Sequence, residues 1–165
     1  YDLALRGFVE GRRVLVVGAG LGGVVALALG ARGYASVALD PCLSTAKQWP
    51  LAVGLRRSAE RGALPHGDFL YDALGWRDGV FAADRRYGDL LGRTKAPALV
   101  ICGDAPLGEE RELAAAPSML DEADHALLAA YPDVRVQVVS GCGHNILGQA
   151  PALCRDLILE ELARA

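Results

Sequence analysis

Methionine is almost missing from this chain of 165 residues: Met119 is the sole one, and position 1 is a tyrosine. Translation starts with methionine, so the expectation is a fragment, a processed product or a trimmed chain. Long basic runs are also missing, with no Lys/Arg stretch beyond a pair, and the net charge is -3. Neither nucleic acid nor an anionic membrane has an electrostatic reason to bind. The four cysteines, Cys42, Cys102, Cys142 and Cys154, form no CxxC pair, which excludes a zinc ribbon and a dithiol redox motif. Cys102 and Cys154 sit in apolar patterns and read as small core residues, so a reducing cytoplasm is the expected setting. No basic, apolar and cleavable opening marks a signal peptide. Charge is absent from Val14 to Ala31, close to the length of a spanning helix. Five glycines interrupt that run, and its β-branched start and Ala/Leu-rich end look like two elements joined by a turn. No metal or cofactor is expected, and no internal repeat is present.

What is present is a globular composition: 52% hydrophobic and 22% charged residues, in a length suited to one domain spanning 1–165. A weak helix is expected over 2–10. RVLVV (13–17) reads as a strand buried on both faces, 22–32 as a helix stopped by Gly33, and SVALD (36–40) as a second buried strand. Strand, helix and strand in about thirty residues make a βαβ unit with parallel pairing. From Pro41 to Thr94 both tryptophans and many charges occur without a clear strand, so short helices and loops are expected. PALVICGD (97–104) returns to strand. A helix over 118–130 follows, with Ser118 and Asp121 as a capping box. VRVQVV (134–139) is a strand, SGCGHNILG (140–148) a loop and 151–165 a closing helix. The fold class is therefore α/β, an open and mostly parallel sheet with flanking helices. Ligands in such sheets sit at the carboxyl ends of strands, here Gly18–Gly23, Asp40, Gly103–Pro106 and Gly141–Asn145.

Two chemistries compete for VLVVGAGLGGVVALAL (14–29). Gly18, Gly20 and Gly23 satisfy GxGxxG between a strand and a helix, and Asp40 stands where a ribose-binding acid belongs. That would make an NAD or FAD site. The continuation PCLSTAKQWPLAVGLRRS contains two prolines and a mixed polar pattern, and does not make the third parallel strand that a dinucleotide fold needs.

The second half points elsewhere. APALVICGD, a helix, and VRVQVVSGCGHNILGQAPALCRDLILEEL resemble the C-terminal third of α/β-hydrolase-fold proteins. VVGAGLGGVVALAL is similar to that family's strand–elbow–helix, usually G-x-S-x-G-G, and the likeness covers essentially the whole chain. It implies that His144 is the general base and that Gly20 stands at the serine nucleophile position. Leu21 would offer an oxyanion N–H, and Asp104 or Asp40 would orient His144. It further implies that residues 44–94 form a helical cap and that the family's earlier strands and second oxyanion loop precede Tyr1. A sheet without those strands exposes an edge, which favours self-association.

Without a serine, the expectation is a relative of small-ester or amide hydrolases that is inert or weak. The alternative is a non-catalytic module that binds a small acyl-type ligand. Cys142 reads as buried rather than as a replacement nucleophile. His125 reads as part of a solvated helix face and His66 as a loop residue.

Overall fold

The computed structural model describes residues 9–64, 67–108 and 116–165. The expected helix over 2–10 and His66 lie almost wholly outside those residues. The chain runs β1 (Leu15–Ala19), α1 (Leu21–Gly30), β2 (Ala35–Leu39), α2 (Trp49–Glu60), α3 (Gly67–Leu74), β3 (Trp76–Arg77) and β4 (Val80–Phe81). A 3-10 helix (Gly88–Arg93) leads to β5 (Ala98–Gly103), α4 (Glu122–Ala129), β6 (Val134–Val139), α5 (Ile146–Gln149) and α6 (Pro151–Arg164).

Four strands form one sheet in the order β1-β2-β5-β6, parallel throughout. Each strand is added on the same side of its predecessor, so the four strands among the described residues form no switch point of the kind that seats a dinucleotide. Val37, Leu39, Leu99 and Ile101 face one way and pack with Cys154 of α6. Ala38, Ala98, Val100 and Cys102 face the other way and pack with Leu27 of α1 and Leu128 of α4. This is the two-sided burial that β-branched parallel strands require. β5 is buried along its whole length, as a central strand must be.

β1 departs from expectation. It lies two residues later than RVLVV and is not buried on both faces: Val17 keeps 42% of its surface exposed. The reason is position, since among the described residues β1 pairs only with β2 and forms an edge.

The insertion between β2 and β5 contains helices, as expected, and a hairpin that was not. β3 and β4 pair antiparallel across Asp78-Gly79, both at positive φ, as a type I′ turn demands. Trp76 and Phe81 meet edge to face at 5.0 Å. Around them Ala52, Leu70 and Leu74 make a small separate core, against which Leu21 of α1 packs. Asp84 ties the insertion to the stretch after β2 by accepting bonds from Ser44 Oγ, Thr45 N and Ala46 N.

Candidate active site

The turn from β1 into α1 is sharp. Gly20 is the residue before the helix, at φ 54 and ψ -117, and its N–H donates to Leu39 O of β2. That backbone geometry strains any residue with a Cβ. Gly18, one pleat earlier, lies so close to the helix that a Cβ there would come within 2.0 Å of Gly22 O. α1 follows with no side-chain cap. The N–H of Leu21 is thus among the first-turn donors that lack an intrahelical acceptor.

His144 comes to this turn from the loop after β6. Its N–H donates to Ala116 O, and the preceding Gly143 is pressed so closely on that carbonyl that a Cβ would lie 1.9 Å from it. The imidazole is a third exposed, while Asp40 is fully buried at the end of β2. His144 Nδ1 stands 2.7 Å from Asp40 Oδ2. Asp40 itself sits at φ 45, a strained setting that aspartate tolerates better than most residues.

The carboxyl group of Asp40 is held from behind by a segment that joins two other elements. Ser118 Oγ donates to Asp40 Oδ1 at 2.5 Å and Met119 N to Oδ2 at 2.8 Å. Ser118 N in turn donates to Ala105 O, and Gln48 Nε2 donates to Met119 O at 2.7 Å. With Asp40 accepting on both oxygens, Nδ1 of His144 carries the hydrogen and Nε2 is left as the acceptor. An ideal Cβ on Gly20 would lie 3.5 Å from that Nε2 and 3.3 Å from Cε1. The three positions therefore converge, and one of them has no side chain.

Asp104 is not brought to His144. It is solvent-facing at the end of β5, where it accepts from Ser140 Oγ and Gly141 N at 2.8 Å each and so pins the β6 loop. Those bonds hold its carboxyl below the usual carboxylate range. The choice that the sequence left open falls geometrically to Asp40. Asp40 is equally unavailable to a ribose, because both its oxygens are used inside the protein.

Ser118 was expected to cap a helix and does not. Asp121 caps α4, in a reciprocal pair with Asp124, and Ser118 is freed to hold Asp40. Asp124, one residue before His125, is buried, and Lys47 bridges it and Asp121 at 2.5 and 2.7 Å. Burial pushes the Cys42 thiol up to about 12, which removes it as a nucleophile near the site. Cys142 is buried as expected. No helix among the described residues is long and apolar enough to cross a membrane.

No protein-family model matches the chain, and no curated protein matches its sequence. Solved structures do match its fold over nearly its full length. VinJ is 13% identical, with 99% of this chain and 70% of VinJ covered and a TM-score of 0.61. The Pf2001 esterase of Pyrococcus furiosus is 16% identical, with 99% and 58% covered and a TM-score of 0.61. Proline iminopeptidase of Mycobacterium smegmatis is 17% identical, with 99% and 69% covered and a TM-score of 0.62. The chain thus spans little more than half the length of that esterase. These likenesses define an α/β-hydrolase fold, a mostly parallel sheet with flanking helices.

Proposed function

We propose that this protein keeps the general-base half of an ester- or amide-hydrolase site and has lost the covalent half. In this reading His144 is the base, Asp40 fixes its tautomer and Leu21 N–H faces the developing oxyanion. The insertion over 44–94 acts as the cap over a small acyl-type ligand. One observation carries the reading: Gly20 holds the strained turn of a nucleophile elbow with the base 3.5 Å from where a side chain would begin. An acyl-enzyme needs an oxygen or sulfur at that point, and glycine supplies neither. Loss of the nucleophile alone costs about 10⁶-fold in comparable triads, so the protein is inert or very weak toward esters. The fold of the matched esterase and peptidase supports the ligand class.

The test uses p-nitrophenyl acetate in plain buffer. The protein is expected to form no acyl adduct by mass spectrometry and to show no turnover above His144→Ala. Gly20→Ser is expected to gain an adduct on the new side chain and turnover that needs His144. An adduct or His144-dependent turnover in the unaltered protein overturns the reading. A Gly20→Ser variant that folds yet stays inert overturns the assignment of His144 as base.

A further inference from the structure

Resting on the reading of His144 as a retained base, we propose that Gln48 is a positioning residue for the His144–Asp40 pair. Gln48 belongs to the insertion, one residue before α2. It acts through a chain of hydrogen bonds that all run one way. Gln48 Nε2 donates to Met119 O at 2.7 Å. The same peptide group turns its N–H, that of Leu120, to Ser118 Oγ at 3.1 Å. Ser118 Oγ in turn donates to Asp40 Oδ1 at 2.5 Å, and Asp40 Oδ2 meets His144 Nδ1 at 2.7 Å. A peptide whose oxygen accepts becomes a better N–H donor, and a hydroxyl that accepts becomes a better O–H donor. The chain therefore sharpens the grip on the carboxylate that holds the ring.

Two further observations fit this role. Gln48 is fully buried, yet its Oε1 has no hydrogen-bond partner among the described residues. Turning the amide over would set that oxygen against Met119 O, acceptor to acceptor, so the nitrogen stays where it is. A buried amide with an unpaired oxygen fills a core at more cost than an apolar side chain does. What sets it apart from an apolar residue is the bond its nitrogen gives. The neighbouring Lys47 holds the next turn of the same segment, through Asp121 and Asp124. Lys47 and Gln48 thus grip 119–124 at both ends and tie the insertion to Asp40.

The experiment follows the His144 Nδ1 proton by NMR in the protein with Gly20 unchanged, assigned by its loss in His144→Ala. Gln48→Met, close in volume but without a donor, is expected to speed exchange of that proton with water about 5-fold, the factor of one typical hydrogen bond. Ser118→Ala is expected to do at least as much, and adding Gln48→Met to it should change the rate less than about 2-fold. Leu70→Ala loosens the insertion's own core without touching the chain of bonds, and is expected to leave the rate unchanged. An unmoved rate in Gln48→Met or in Ser118→Ala overturns the proposal, and so does an equal rise in Leu70→Ala. Gly20→Ser separates it from the reading beneath. In that background Gln48→Met is expected to lower kcat on p-nitrophenyl acetate about 5-fold with KM unchanged. Turnover that Gln48→Met leaves intact overturns the positioning role alone. An inert Gly20→Ser beside a faster-exchanging proton overturns His144 as base and upholds the positioning of the pair.

Discussion

On its Nδ1 side, the His144 ring meets a fully buried carboxylate that accepts from Ser118, Met119 and the ring itself. Its Nε2 stands 3.5 Å from the Cβ position of a glycine, which no other described residue approaches within 4 Å apart from that glycine's chain neighbours. The first environment depends on three separate segments and a strained aspartate; the second depends on one missing side chain. A buried charge must keep its partners or destabilise the protein, whereas a solvent-facing nucleophile can vanish at no folding cost. That difference makes the Nδ1 side costly to change and the Nε2 side cheap to change.

The largest effect expected from breaking this contrast lies in the acid. In a Gly20→Ser background, Asp40→Asn should lower ester turnover about 10²–10⁴-fold by presenting the wrong tautomer. Asp104→Asn should leave it within about 2-fold, since that carboxylate only pins a loop. Equal losses, read from kcat/KM on p-nitrophenyl acetate, would erase the distinction between the two strand-end acids. The next effect is on stability. Ser118→Ala should cost about 1.5–3 kcal/mol in urea unfolding, because it removes a hydrogen bond to a buried charge. Gly20→Ala, on the Nε2 side, should cost about 1–3 kcal/mol through backbone strain alone. A neutral Ser118→Ala would show that the two sides are equally dispensable.

The smallest effect lies farther from the ring, where the insertion is tied down. Burial works against the Asp84 carboxylate, but the Ala46 N–H, Arg86 and Ser44 Oγ outweigh it and bring it from 3.8 to about 2. A depressed carboxylate stabilises the fold above its unfolded pKa and loses that contribution as pH falls through its folded one. Melting temperature should therefore fall between pH 4 and 2 more steeply for the native protein than for Asp84→Asn. Parallel curves would show that the tie contributes nothing.

Much of the fold was legible because it is local or periodic. β6 occupies 134–139 as read, and the parallel order follows from strands alternating with helices. The Asp78-Gly79 hairpin is legible too, since that dipeptide between Trp76-Arg77 and Val80-Phe81 is a turn signal. The Gly20–His144 pairing was legible as a resemblance between two distant motifs. What could not be read was which strand-end acid meets His144. Asp40 and Asp104 both end buried strands, and only the path of residues 116–120 behind Asp40 distinguishes them. The same long-range packing misled the Ser118 reading: Asp121 offers an equally good cap three residues on. β1 was misjudged because its sequence suits a covered strand while its place in the sheet leaves one edge unpaired.

The conformation at Gly20 also gives substitution there a direction. A glycine rests in that turn without strain, whereas serine there stores about 1–3 kcal/mol. Exchange of serine for glycine relaxes the fold, and the return must be climbed against stability before any activity repays it. The turn therefore works in one direction: its neighbours preserve its shape, and glycine is the residue that keeps that shape at least cost in stability.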